Sequence, residues 1–259
     1  MYPVLIASHA KAADLWPITH HFIRKNWPDH PPIYLGANGE ADIDKVPEGW
    51  QLIDRGVDRS FSRSLAEYLD AIESEYIILM LDDFAILEEV SNERLEKTYR
   101  FVREHDAVYL RLVPNPPGDL PFDHDFMRIA IEKRPPYATS LQIAIWKRDF
   151  LRKLLEYDFN PWEFEVRGGK TEEALANASR FFVAKEPLIR YTHFVEKGKF
   201  FPFVRYWKDK GVPIDTTRDY WTEEEVRRMQ GSQLRRFVRI SVPAAWRNRI
   251  RVMLGLSEL

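Results

Sequence analysis

Two adjacent carboxylates, Asp82 and Asp83, follow the apolar run 76–81 and are the residues best suited to metal chemistry in this chain. Two ionised carboxylates side by side repel each other, and a divalent cation removes that repulsion. Their oxygen atoms suit Mg²⁺ or Mn²⁺, which commonly hold substrate phosphates as well. The alternative interpretation of the pair is a solvated strand end or a helix cap.

A second group of candidate residues lies late in the chain. His193 ends the segment 189–193, and an imidazole at that position can bind a metal or can serve the structure alone. Lys197 and Lys199 flank Gly198. Two ammonium groups around a flexible glycine can neutralise a diphosphate. The alternative is an exposed basic turn.

Ser60, Ser62 and Arg63 begin a helix that precedes the carboxylate strand. Backbone amides at a helix start, together with an arginine, favour phosphate. Ordinary helix capping by Ser60 or Ser62 is the alternative. The sequence Asp123-His124-Asp125 also contains side chains that can bind a metal, but we interpret it as part of a polar loop.

Two further carboxylates, Glu163 and Glu165, are candidates for a general base that takes a proton from an acceptor hydroxyl. Glu163 already has a local role, because it lies three residues after Asn160 in a predicted capping box. Glu165 has none, and we prefer it as the base. Trp162 lies beside them, where its ring can stack on a sugar or pack in the core.

The order of predicted elements places the carboxylate pair. In the first hundred residues, apolar runs typical of strands alternate with helical patterns, and the run 76–81 predicts a central strand covered on both faces. This order predicts an α/β fold with a mostly parallel sheet and helices on both faces. Ligands of such sheets bind beyond the carboxyl ends of the strands, where Asp82 and Asp83 lie.

The second half of the chain predicts a less regular series. We expect strands at 107–113, 129–131, 137–146 and 184–191, a loop at 114–126, and helices at 147–156 and from 160. The chain has no cysteine, which excludes disulfides, thiolate metal sites and a cysteine nucleophile. Phosphate-loop, dinucleotide-binding and hydrolase nucleophile motifs are also missing.

Positive charge is concentrated in the last part of the sequence. Residues 227–259 contain eight arginines and one acidic residue, so this segment carries a formal +7 while the rest carries −9. Apolar residues at helical spacing beside these arginines suit an anionic membrane surface. Packing on the protein or a partner subunit is the alternative, and the acidic body disfavours nucleic acid. We therefore expect a domain at 1–215 and a helical, Arg-rich extension at 216–259.

No stretch of the sequence reads as a signal peptide or reaches the length of a membrane-spanning helix. This predicts a cytoplasmic protein, peripheral on the cytoplasmic face of a membrane if its tail binds lipid.

Taken in order, these motifs resemble those of bacterial GT-A glycosyltransferases that build surface polysaccharides. The resemblance covers about residues 2–205. It is carried by the first strand ending in Ser8, the helix from Ser60, the strand ending in Asp82-Asp83, the stretch Tyr137–Gln142, the segment Trp162–Glu165, and His193 followed by Lys199. It implies a GT-A-like, Rossmann-type fold and a nucleotide-sugar donor.

The resemblance also implies roles for individual residues. Asp82 and Asp83 match the family's Asp-x-Asp motif, which binds a divalent metal, Mn²⁺ or Mg²⁺, and the donor diphosphate. His193 matches a histidine that completes the metal site. Because the motif here is Asp-Asp-Phe, which carboxylate touches the metal stays open. The implied donor-binding set is Ser8, Ser62, Arg63, Asp82, Lys197 and Lys199.

The other implied roles concern the acceptor. Glu163 or Glu165 supplies the base, and Gln142 and Trp162 bind the acceptor, a polysaccharide or lipid-linked glycan. The implied reaction is direct displacement at the anomeric carbon. A single base suggests that this displacement inverts the anomeric configuration. Two alternatives stay open: another metal-dependent nucleotide enzyme, such as a nucleotidyltransferase or phosphohydrolase, and a non-catalytic subunit that binds carbohydrate or nucleotide.

Overall fold

The structure is a computed structural model that describes residues 1–214 and 218–229. Its strands are β1 Val4–His9, β2 Ile33–Asn38, β3 Trp50–Ile53, β4 Tyr76–Leu81, β5 Phe84–Ile86, β6 Tyr109–Arg111, β7 Leu120–Pro121, β8 Phe126–Arg128, β9 Ala144–Lys147, β10 Phe181–Ala184, β11 Tyr191–His193, β12 Val195–Glu196 and β13 Lys199–Phe200. Its α-helices are α1 Trp16–Asn26, α2 Phe61–Asp70, α3 Asn92–Glu104, α4 Arg148–Leu154, α5 Pro161–Arg167, α6 Glu172–Ala176 and α7 Val204–Asp209. In this described part of the chain, no helix has the length and apolar character needed to cross a membrane.

Nine strands form one mixed sheet in the order β3-β2-β1-β4-β9-β6-β10-β8-β7. The first four are parallel, as the alternating pattern predicts. β9 runs antiparallel between β4 and β6. The chain moves outward from β1 to β3 and then returns to place β4 on the other side of β1. This reversal leaves a crevice at the carboxyl ends of β1 and β4.

The core covers both faces of the sheet, which confirms that β4 is a central strand. Alternate residues of a strand point to opposite faces. Ile78 packs with α1 and α3 on one face, and Ile77 packs with α2 and α4 on the other. Both are fully buried. The first five residues of the strand are buried because neither face meets solvent there, and Leu81 at its end is half-buried beside the cavity described below.

Local signals place the helices around the crevice. α1 begins at Trp16, with Pro17 in its first turn. The hydroxyl of Ser60 accepts from the backbone amide of Arg63 at 3.3 Å and caps α2. Asn160 and Glu163 form the predicted capping box of α5. These ends follow directly from residue type, because each cap satisfies an otherwise unpaired helix amide.

The strand predicted at 137–146 is wrong over most of its length, since only β9 pairs in the sheet. Tyr137 and Thr139 bond instead to the backbone of α5. The amide of Tyr137 donates to the carbonyl of Glu165 at 2.9 Å, and the hydroxyl of Thr139 donates to that of Phe164 at 2.9 Å. Their burial comes from this helix, not from strand neighbours, and a pattern of apolar residues cannot separate the two causes.

The strands predicted at 184–191 and 129–131 are also displaced. β10 ends at Ala184, before Pro187, and β11 begins only at Tyr191. Proline has no amide to donate to a ladder, and the intervening residues form the connection. Near 129–131, the paired residues are those of β8, and a short 3₁₀ turn, Ile131–Lys133, follows.

A capping box begins the helix that follows Thr222, whose hydroxyl accepts from the amide of Glu225 at 3.2 Å. Residues 223–229 are helical. The predicted basic helices of the tail lie in 230–259, outside the described residues.

Gly36 is required by close packing in β2. A Cβ atom at this position would lie 2.2 Å from Cδ2 of Tyr68, which is buried. We expect Gly36→Ala to lower the free energy of unfolding by about 1–3 kcal/mol, as overpacking usually does. Urea unfolding measures this change. Lys45→Ala, at an exposed position, is the control and should stay within about 0.5 kcal/mol. An equally small loss for Gly36→Ala would contradict the expectation.

Candidate active site

The carboxyl ends of β1 and β4 open into a cavity of about 800 Å³. This is the reversal point of the sheet, where open α/β folds bind their ligands. Four of the predicted site residues line it, and these are Ser8, Asp82, Asp83 and Lys197. The structure therefore brings together the acidic pair and part of the predicted basic group.

Asp82 is held in place by residues of β1 and α1. The Ser8 hydroxyl donates to its Oδ2, and the indole N–H of Trp16 donates to that hydroxyl at 2.8 Å. The Thr19 hydroxyl donates to the Asp82 carbonyl at 2.5 Å. Burial raises the pKa of Asp82 to about 6, although the Ser8 hydrogen bond and the charge of Arg218 act in the lowering direction. Ser8 thus uses its hydroxyl to position Asp82.

Asp83 presents a different environment. Its Oδ1 atom is buried and has no hydrogen-bond partner among the described residues. Burial, and next the negative charge of Asp82, raise the pKa of Asp83 to about 8. Its own backbone carbonyl accepts from the amide of Phe194 at 3.0 Å, which fixes the chain around it. A buried oxygen without a donor is a position that a cation would satisfy.

The donor set at this point fits a hard divalent cation in part. Carboxylate oxygens suit Mg²⁺ or Mn²⁺, and such ions often take only one or two carboxylates and complete their coordination with water and substrate phosphates. Among residues 1–214 and 218–229, no group of three His, Asp or Glu side chains is arranged to hold a metal. A metal here would therefore depend on Asp83, with Asp82 beside it, and on oxygens from the ligand.

His193 lies near this group without lining the cavity. It pairs with Phe84 across β11 and β5, which brings its backbone beside the acidic pair. His193 is exposed, and the centre of its ring is 5.3 Å from that of Phe201. The structure therefore places the predicted third ligand next to the acidic motif in the fold, with its side chain outside the cavity lining.

The two predicted lysines have different surroundings. Lys197 and Gly198 have positive φ angles of 50° and 79° and form the turn between β12 and β13. Lys197 lines the cavity. Lys199 instead lies over the ring of Trp221, with its Nζ atom 4.8 Å from the ring centre and 3.8 Å from a Glu225 oxygen.

The start of α2 contributes to the cavity through residues other than those predicted. Ser62 is fully buried, and its hydroxyl donates to the carbonyl of Phe159 at 2.7 Å. Arg63 is exposed and pairs with Asp158 at 3.1 Å. Neither lines the cavity, which α2 meets through Phe61, Ser64, Leu65 and Tyr68.

The two candidate bases on α5 are clearly different. Glu163 is committed to the capping box and to an ion pair with Arg167 at 3.0 Å. Glu165 accepts from the amide of Leu141 at 3.0 Å, and Leu141 lines the cavity. Burial raises the pKa of Glu165, partly offset by that amide and by the charge of Arg111. Glu165 therefore contacts Leu141 of the cavity wall without lining the cavity itself, and its carboxyl has a raised proton affinity.

The predicted acceptor residues lie on the same side as Glu165. Trp162 is 49% exposed and follows Pro161, which lines the cavity. The side-chain oxygen of Gln142 accepts from the hydroxyl of Tyr191. The acidic group at 123–125 borders a separate cavity of about 750 Å³, remote from the acidic pair in the sheet.

Several residues of this site were not anticipated from the sequence. Trp16 and Thr19 position Asp82, and Arg218 enters the cavity from the C-terminal segment. Arg111 is 1% exposed inside the sheet and donates to the carbonyl of Tyr137 at 3.0 Å, in the loop beside Glu165. Trp16 and Thr19 lie three residues apart in α1 and both carry a hydrogen-bond donor, so their spacing could have indicated that they meet the site together. Arg218 had no local signal.

The raised pKa of Asp83 predicts a dependence of stability on pH. Above the ordinary carboxyl range near 4, the unfolded chain has lost this proton while the metal-free folded protein keeps it up to about pH 8. Stability therefore falls as the pH rises through this window.

We expect Asp83→Asn to raise the metal-free free energy of unfolding at pH 8 by about 1–3 kcal/mol, because the neutral amide needs neither proton uptake on folding nor the burial of a negative charge beside Asp82. At pH 5 the gain should be smaller. Thermal unfolding in chelator at both pH values measures the difference. An equal effect at the two values, or a loss of stability at pH 8, would contradict the assignment.

Comparison with known proteins identifies the fold. No protein-family model and no curated protein matches the chain. The 1–349 segment of S. aureus TarS in complex with UDP-GlcNAc is similar with a TM-score of 0.52 at 14% identity, over 95% of this chain and 75% of that chain. Another structure of that segment has a TM-score of 0.47 at 16% identity, over 74% of this chain and 60% of that one. The chain thus spans 60% of the length of that second TarS chain.

A mannosyltransferase from Pyrobaculum calidifontis, PcManGT, in complex with GDP-Man and Mn²⁺, is also similar, with a TM-score of 0.49 at 13% identity over 76% of this chain and 58% of that chain. The likeness to the UDP-GlcNAc complex of TarS, together with the sheet order, confirms the predicted GT-A-like α/β fold.

Proposed function

We propose that this protein is a glycosyltransferase that moves a sugar from a nucleotide-sugar donor to a hydroxyl of a glycan acceptor. The observation that carries the proposal is the acidic pair at the carboxyl end of β4, where Asp83 Oδ1 is buried without a partner among the described residues. The likeness in fold to TarS, whose structure contains UDP-GlcNAc, supports a nucleotide sugar as the donor.

A divalent cation, Mn²⁺ or Mg²⁺, is part of the proposal. Asp83 would hold it, with Asp82 beside it and His193 as a further candidate ligand on the adjacent strand. When bound, the ion supplies positive charge that stabilises a departing nucleoside diphosphate. Lys197 adds charge from the turn between β12 and β13. Ser62, Arg63 and Lys199 contact other parts of the protein, so we give them no direct role with the donor.

The proposed reaction is a single displacement. The acceptor hydroxyl oxygen forms a bond to the anomeric carbon while the bond from that carbon to the diphosphate oxygen breaks. The electron pair of the broken bond leaves with the nucleoside diphosphate, and the hydroxyl proton passes to Glu165. A displacement of this kind inverts the anomeric configuration. The raised pKa of Glu165 suits a base that works near neutral pH.

The acceptor side of the proposal rests on Trp162 and on the cavity wall at Leu141 and Pro161. An exposed indole next to the base offers a flat apolar surface to a sugar ring. We propose a polysaccharide or lipid-linked glycan as acceptor. The Arg-rich segment 227–259 would then hold the protein to an anionic membrane from the cytoplasmic side.

The decisive test is a screen of the full chain against nucleotide sugars with Mn²⁺ or Mg²⁺. Slow release of nucleoside diphosphate, together with a thermal shift, identifies the donor. We expect one donor to respond, and we expect a chelator to remove the response until metal is restored. Binding of a nucleoside triphosphate with no response to any nucleotide sugar would favour a nucleotidyltransferase or phosphohydrolase. Binding of a nucleotide sugar with no turnover would favour a non-catalytic subunit.

A further inference from the structure

The C-terminal segment 218–222 supplies a cation to the cavity. Arg218 lines it, although 136 residues of chain separate it from Asp82. Its side chain is only 19% exposed. The guanidinium therefore lines the same cavity as the two carboxylates, where a metal and a diphosphate would meet.

The carboxylate of Asp14 fixes the orientation of this guanidinium. Asp14, just before α1, is 15% exposed and accepts from both Nε and Nη2 of Arg218, the latter at 2.7 Å. Nη1 of Arg218 also donates to the carbonyl of Gly198 at 3.3 Å. Such two-point pairing sets the plane of the guanidinium before any ligand arrives, which reduces the entropy lost on binding.

The rest of the segment is attached to the β12–β13 hairpin. The amide of Trp221 donates to the carbonyl of Phe200, and the amide of Phe200 donates to that of Asp219, both at 2.9 Å. The indole N–H of Trp221 donates to the carbonyl of Glu196 at 2.9 Å. Because this hairpin carries Lys197 into the cavity, the segment and the hairpin present their two cations together.

A nucleoside diphosphate in this cavity would need more positive charge than one divalent cation supplies. A nucleoside diphosphate brings at least two negative charges to a floor that already holds two carboxylates. A single divalent cation does not offset all of this charge. Lys11 and Arg59 also line the cavity, and Arg59 is paired with Glu67 at 3.2 Å as Arg218 is with Asp14. Lys197 and Arg218 are the cations that the hairpin region adds beside the acidic pair.

We propose that Arg218 binds the diphosphate of the nucleotide donor and that Asp14 is the positioning residue that orients it. The inference rests on the proposed function, because it assigns a ligand of that same site. Residues 218–222, which the sequence assigned to a separate extension, would then form part of the donor site.

The test compares nucleoside diphosphates with their nucleosides. The full chain with Mn²⁺ is titrated by calorimetry with UDP, GDP, CDP, ADP and dTDP, and the one that binds is paired with its nucleoside. Arg218→Gln should weaken the diphosphate about 10- to 100-fold, as loss of a charged hydrogen bond does, and should change nucleoside affinity less than about twofold. Arg218→Lys should recover part of the loss. Asp14→Asn should weaken the diphosphate less than Arg218→Gln.

A matched control is Arg228→Gln, which removes an exposed arginine of the following helix, 223–229, that pairs with Glu224. It should leave both affinities unchanged. Equal losses of diphosphate and nucleoside for Arg218→Gln, or no loss, would overturn the inference, as would a wild-type protein that binds no nucleoside diphosphate. Wild-type binding of a diphosphate without turnover of any nucleotide sugar would count against the proposed function and leave the diphosphate comparison valid.

Discussion

Asp83→Asn is expected to lower turnover of the donor sugar nucleotide about 10²- to 10³-fold, the usual scale for loss of charge stabilisation in an active site. The substitution keeps the shape of the side chain and removes the negative charge that attracts the cation. Since Asp83 Oδ1 has no partner among the described residues, the substitution removes no hydrogen bond to that oxygen. The metal-free protein should therefore fold normally and gain stability at pH 8, which separates loss of activity from loss of structure.

The neighbouring variant Asp82→Asn is the informative comparison for this first prediction. One Asp82 oxygen already accepts from Ser8, so this residue has less freedom to meet a cation than Asp83 has. We expect a smaller loss of turnover and a weaker effect on Mn²⁺ affinity. Initial rates over a range of Mn²⁺ concentrations measure both quantities. A larger effect at Asp82 than at Asp83 would reverse our assignment of the metal-facing carboxylate.

Glu165→Gln is expected to lower kcat about 10²- to 10⁴-fold, the range for removal of a general base, with little change in the KM of the donor. The amide keeps an oxygen that can accept from the backbone of Leu141, which is the contact that Glu165 makes in the structure. Rates at saturating donor and metal, with the acceptor varied, isolate this step. In the absence of acceptor, the slow rate of donor hydrolysis should fall less in Glu165→Gln than kcat for transfer does.

The pH profile gives a second readout for Glu165. A base must be deprotonated to act, and burial raises the pKa of this carboxyl. In the wild type, kcat should fall as the pH falls through a value above the usual glutamate range, and this limb should disappear in Glu165→Gln. Glu163→Gln is the matched control, because it lies on the same helix and pairs with Arg167. A greater loss in Glu163→Gln would show that the assignment of the base is wrong.

Much of the fold was accessible from local patterns. The buried strand 76–81, the capped helices at Ser60 and Asn160, and the parallel arrangement of the first four strands all depend on neighbouring residues in sequence. The position of Asp82 and Asp83 at the carboxyl end of a central strand followed from the same patterns. In contrast, the expected strand at 137–146 is mostly a loop packed on α5, because burial alone does not reveal the partner.

The candidate site shows the same division. Residue types and their spacing predicted that an acidic pair would end a buried parallel strand, with basic residues and a second pair of glutamates further along. The packed structure was needed to show that Trp16 and Ser8 hold Asp82, that Glu165 adjoins the cavity wall while Glu163 caps its helix, and that Arg218 pairs with Asp14. Distance along the chain explains the difference: strand, helix and cap signals act within a few residues, whereas these contacts join side chains that only the packed sheet brings together.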